Sequence, residues 1–144
     1  MSPADSTPQD LSDELFLARF ADLTLPPALF DHRGHIRLAW LHLQRFPLAD
    51  ATERVCDGIR AFAAHLGAPQ KYHRTLTEAI VRILHARSAA DPAVSFEAFL
   101  AANPDLVRDA RGLIQRHYSD NLLASPGARE AFVAPDREPL PSLG

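Results

Sequence analysis

The chain reads as an all-α protein: a four-helix core, two or three short C-terminal helices and an extended proline-rich tail. Three observations predict this. From Leu11 onward the apolar residues recur at helical spacing, with no stretch of sustained alternation. The periodic segments are punctuated by Asp, Ser, Asn, Gly and Pro where helices start and stop. The length of 144 residues, with 47% hydrophobic and 23% charged, suits one globular domain with one core. Residues 1–10 form a loose polar tail in this reading, and residues 11–144 form the domain.

The spacing predicts helix 1 from about Ser12 to Asp22, on a stripe of Leu15, Phe16, Phe20 and Leu23, and Pro26-Pro27 stop it. Asp31 is a good N-cap type, and helix 2 runs from it to about Phe46, with Ile36, Ala39, Trp40 and Leu43 inward. Helix 3 covers Leu48 to Leu66 on Val55, Ile59, Phe62 and Leu66, with Gly67 as its C′ residue. Helix 4 covers about Gln70 to Ser88 on Leu76, Ala79, Ile80, Ile83 and Leu84, ending before Asp91-Pro92. Ser95 caps a short helix from Phe96 to Ala102. Asn103-Pro104 reads as an N-cap and N1 proline for a helix reaching about Tyr118, and Ser125-Pro126 repeats the signal for a helix ending near Phe132. The tail from Val133 to Gly144 holds Pro135, Pro139 and Pro141 and is expected to lie extended over the surface.

Composition narrows the function. A net charge of −3 and a pI near 6.1 argue against a broadly basic nucleic-acid surface. Cys56 is the one cysteine, so there is no internal disulfide and no multi-cysteine metal site. No apolar run is long enough to cross a bilayer. Met1–Gln9 lacks the basic start and apolar centre of a signal peptide. A soluble cytoplasmic protein without nucleic-acid or membrane partners is expected, and a homo-oligomer stays open. There is no glycine-rich phosphate loop, no Gly-x-Ser-x-Gly elbow and no ferritin-type Glu-x-x-His pair.

Seven histidines are many for this length. Short connections make helices 2, 3 and 4 successively antiparallel, so helices 2 and 4 start at the same end of the bundle. His32 and His35 share a face at the start of helix 2, and His73 continues the inward line of helix 4. Three imidazoles are thus expected to converge. Three protein ligands with an open position would suit a divalent metal such as zinc or iron. Asp31, Glu78 or Asp136 would offset the charge. Without a metal the same histidines would be acid/base groups. The competing reading is that each imidazole bonds a backbone carbonyl. His42, His65, His85 and His117 read as flanks, caps or partly exposed side chains. Hydroxyls at Tyr72, Thr75 and Thr77 could orient a ring, a substrate oxygen or a water. Arg129, or Asp136 in a tail that folds back, could close the pocket. Trp40 and Cys56 read as packing.

Phe30-Asp31-His32-Arg33-Gly34-His35-Ile36-Arg37-Leu38-Ala39-Trp40, Lys71 to Thr77, Tyr118-Ser119 and Leu123 to Leu140 resemble a family of small bacterial helical proteins. Its members carry His-x-x-His-Leu-x-x-Ala-Trp/Tyr, Lys-Tyr-His-x-Thr-x-Thr and a Tyr-Ser…Ala-Arg…Phe-Val-x-Pro-Asp…Pro-Leu-Pro ending. The resemblance spans most of the chain from Leu25, with Ile36 where leucine is usual. It implies a shared site rather than a particular reaction, at His32, His35, Tyr72, His73, Thr75, Thr77, Tyr118, Ser119, Arg129 and Asp136. The expectation is a small-molecule enzyme with a histidine-lined pocket at one end of the bundle. There His32, His35 and His73 would bind a metal or act as catalytic groups. The hydroxyls would orient substrate, and Arg129, Tyr118, Ser119 and Asp136 would hold it. The alternative is a non-catalytic binding or regulatory module whose histidines are structural.

Overall fold

Proline-rich connectors divide the chain into short rods, and most of those rods begin on a side-chain cap. The computed structural model describes residues 11–141; the expected tail over residues 1–10 and the last tail residues, 142–144, lie outside them. Helix α1 is Asp13–Ala21, capped by the Ser12 hydroxyl on the Leu15 N–H. It buries Phe16 and Phe20. It ends before Leu23, which adopts a left-handed φ of 66°. A 3₁₀ turn at Pro27–Leu29 leads to α2, His32–Arg45. The Asp31 carboxylate accepts the Gly34 N–H at 2.9 Å, as an N-cap should.

Helix α3 is Leu48–His65. Gly67 follows it with φ 74°, a conformation glycine adopts without a Cβ penalty. The next stretch departs from the expected boundary. Pro69–Lys71 forms a 3₁₀ turn, and α4 is Arg74–Ala90, with His73 as its N-cap rather than a residue inside it. Helix α5 is Phe96–Ala102, as expected.

The expected long helix from Pro104 is instead two pieces, α6 at Asp105–Arg108 and α7 at Ala110–Gln115. Asp109 leaves the helical region (φ −141°, ψ 46°) and caps the new helix, its carboxylate accepting from Gly112 N–H. Asn103 is no N-cap: its amide donates to Phe99 O and accepts from Arg87. Ser119 caps an unexpected turn, α8 at Asp120–Leu123, and Ser125 caps α9 at Pro126–Glu130.

Helices α2, α3 and α4 pack on one another at the centre. Helix α1 packs on α3, α5 and α6 on α2, and α7 and α9 on α4. The described residues contain no strand. Ile36, Leu38, Val55, Val81, Leu84, Phe99 and Leu106 are essentially inaccessible. Burying each such side chain stabilises the fold by about 1.5–3 kcal/mol before entropy is counted. Trp40 packs against Phe96 and Phe99, and Cys56 is buried, both as expected. None of the helices described is long and apolar enough to cross a membrane.

The C-terminal segment runs back over the α7–α8 junction. Arg137 and Glu138 donate their N–H groups to His117 O and Arg116 O at 3.0 and 3.1 Å. His117 returns a bond from Nδ1 to Glu138 O at 2.9 Å, so it is buried rather than partly exposed.

Candidate functional site

The starts of α2 and α4 meet, and a cavity of about 610 Å³ opens between them. That size is typical of a small-molecule site. His32, His35 and His73 all line it, together with Tyr72 and Thr77. The inferred parallel arrangement of α2 and α4 therefore brings the three imidazoles to one space. Apolar side chains from α3, α4 and α7 form most of its wall, among them Ile59, Ile80 and Ile114.

The three rings differ in what remains free. His73 Nδ1 accepts the Leu76 N–H at 3.1 Å, which fixes the proton on Nε2; Nε2 then donates to Leu123 O at 2.8 Å. Both nitrogens are engaged, in a cap and in a tether to α8. His32 donates from Nε2 to Leu106 O at 2.8 Å. His35 donates from Nδ1 to Asp31 O at 2.8 Å, one turn back along its own helix. Its ring stacks on Phe30 with centroids 4.0 Å apart. The lone pairs at His32 Nδ1 and at His35 Nε2 have no partner among the described residues. Burial pulls the His35 imidazole below its ordinary 6.5, and the charge of His32 adds to this, against the opposing pull of the Asp31 carbonyl and carboxylate.

Tyr72 stays a proton donor. Burial pushes its phenol up to about 12, and the neighbouring Cys56 thiol adds to the shift. Burial likewise pushes Cys56 up to about 11, which makes it an unreactive packing thiol. Arg74 is half-buried between Glu53 and Glu78, at 2.7 and 2.8 Å.

A three-histidine metal centre does not fit this arrangement. Among the described residues no three His, Cys, Asp or Glu side chains are grouped to hold an ion. His73 has no nitrogen lone pair left to offer. Of the carboxylates expected to assist, Asp31 lines the cavity but caps α2, Glu78 pairs with Arg74 and Arg82, and Asp136 is held by Ser119.

Several residues expected at the site lie behind it. The fully buried Thr75 donates to Ala128 O at 2.7 Å and accepts the Val133 N–H at 3.2 Å. Thr77 lines the cavity but donates its hydroxyl proton to His73 O at 2.8 Å. Arg129 donates to Gln70 O and Tyr72 O, closing the 3₁₀ turn rather than facing the cavity. Tyr118 donates to Val133 O at 2.7 Å. Asp136 accepts from the Ser119 N–H and hydroxyl at 2.8 and 2.6 Å. Thr75, Arg129, Tyr118, Ser119 and Asp136 are thus fasteners of the C-terminal segment, their polar groups occupied by partners within the fold. Conversely, Lys71, Arg111, Gln115 and Asp120 line the cavity and were not singled out from the sequence.

No protein-family model matches the chain, and no curated protein or solved structure does.

Proposed function

We propose that this chain is a cytoplasmic small-molecule enzyme in which His35 exchanges a proton with a ligand held in the histidine-lined cavity. One observation carries the reading. Burial favours the neutral form of His35, the Asp31 carbonyl sets its tautomer and leaves Nε2 open, and the residue lines a cavity of metabolite size. A base needs such a fixed lone pair within reach of the proton it removes. Tyr72, protonated at neutral pH, is the complementary donor. His73 and His32 act as positioning residues that hold the walls. Membership in the bacterial family resembled above is part of the same proposal, since His32, His35, Tyr72 and His73 all lie in its motifs.

The test combines binding with turnover. A metabolite panel read by melting temperature finds ligands, and nuclear magnetic resonance in D₂O then follows proton exchange in each. Exchange that is lost in His35→Gln while the ligand still binds supports the enzyme. Ligands that bind without exchange or turnover leave the binding module. Tag-free protein prepared with zinc, iron and manganese is expected to carry less than one equivalent of metal. A stoichiometric ion lost in His73→Ala would restore the metal centre and overturn the metal-free form.

A further inference from the structure

The walls of the cavity and its charged groups suggest the kind of molecule it takes. The interior is aliphatic, with branched side chains at Ile59, Ile80 and Ile114 from three helices. Such a surface favours a hydrocarbon body and offers it few hydrogen bonds. Two cations also line the cavity: Lys71, the one lysine of the chain, and Arg111. Neither forms an ion pair with a described residue, whereas Arg74 is neutralised by two glutamates. The positive ends of two long helix dipoles, from α2 of 14 residues and α4 of 17, meet here as well. Against these stand two carboxylates. Asp31 already accepts the Gly34 N–H as a cap, and Asp120 at the start of α8 opposes an anion. The two cations and two carboxylates cancel formally, and the two helix starts tip the balance to positive.

We propose that the ligand is a small apolar carboxylate, its hydrocarbon body against the isoleucine wall and its carboxylate bound by Lys71 and Arg111. The proposal rests on the cavity being a small-molecule site, and it adds the ligand class. A carboxylate can accept charge-assisted hydrogen bonds from both cations, a fork from Arg111 among them. Asp120 then sets a limit on affinity, and its removal strengthens binding.

Calorimetry on the tag-free full chain tests this with 3-phenylpropionate and 4-methylpentanoate as probes. 3-Phenylpropan-1-ol and 3-phenylpropylamine share the body but lack the charge or reverse it. The carboxylates are expected to bind at least about tenfold tighter than either control, the difference expected of one charge-assisted contact. Lys71→Met and Arg111→Met, both at exposed positions, each weaken carboxylate binding by about tenfold, while Asp120→Asn strengthens it a few-fold. Alcohol or amine binding as tight as acid, or methionine variants without effect, overturns the carboxylate assignment and leaves the cavity as a small-molecule site. Binding by none of the probes, or acid binding unchanged in a folded Ile80→Phe variant, overturns the assignment and the cavity reading together.

Discussion

The starts of α2 and α4 face the same cavity, yet they use histidine in opposite ways. At α2 a carboxylate does the capping: Asp31 takes the Gly34 N–H, and His35, one turn further on, keeps a nitrogen free. At α4 the imidazole itself is the cap: His73 takes the Leu76 N–H on one side and holds Leu123 O on the other. The difference teaches that an imidazole at a helix start is available for chemistry only if another residue satisfies the helix. Three rings can converge in space while only two keep a nitrogen lone pair, and of those two His35 is the less exposed.

The sharpest break of this comparison is His73→Ala. It removes a cap, worth about 1 kcal/mol, and a buried link to α8, and it leaves the Leu76 N–H and Leu123 O without their partner. A loss of about 2–4 kcal/mol in urea unfolding is expected. His35→Ala removes one bond and a stacked ring at a half-buried position, and about 1 kcal/mol is expected. Equal losses for the two would end the distinction. Thr75→Val comes next. The hydroxyl is inaccessible and joins α4 to Ala128 and Val133, so its loss leaves buried partners unmade and costs about 1–3 kcal/mol. Proton exchange at His35 should survive in the fraction that stays folded.

Gly34→Ala tests α2 from the other side. A methyl group there would collide with the Leu29 carbonyl oxygen, which is backbone and cannot turn away. Displacing the first turn of α2 costs about 1–3 kcal/mol and moves His32 and His35 together. Stability and ligand binding should therefore fall in parallel, whereas His35→Ala separates them.

The same contrast explains which parts were legible in the sequence. Asp31, Gly67 and Ser95 are strong local signals, and α2, α3 and α5 begin or end where they say. The parallel α2 and α4 followed from short loops, and with them the meeting of the imidazoles. The start of α4 was not legible because histidine is an unusual N-cap, and the leucine-isoleucine stripe extends naturally back through Tyr72-His73. The single long helix from Pro104 failed for a related reason. Leu106 and Leu113 are seven apart, as in an unbroken helix, while the break at Asp109 depends on a side-chain bond to Gly112. The bonds that Thr75, Tyr118, Ser119, Arg129 and Asp136 make within the fold were not legible because their partners, backbone oxygens for Thr75, Tyr118 and Arg129 and each other for Ser119 and Asp136, lie 15–59 residues away in the chain. Residue type alone does not distinguish a polar group that awaits a ligand from one that fastens a tail.

The smallest expected effect is the pH dependence of stability that belongs to His35. Burial holds its folded pKa below the ordinary 6.5 of the unfolded chain. Between those two values the unfolded state binds more protons than the folded state, so stability rises with pH across that window. His35 thus contributes no penalty above about pH 6.5, and a growing one as pH falls toward its folded pKa. His42 is lowered by burial too, and its contribution is common to both proteins when wild type is compared with His35→Gln. The difference between their unfolding curves should therefore be flat above neutrality and should tilt against the wild type on acidification. A tilt in the opposite direction would mean that His35 gains a proton on folding. Its Nε2 would then be a donor rather than the open acceptor that separates the start of α2 from that of α4.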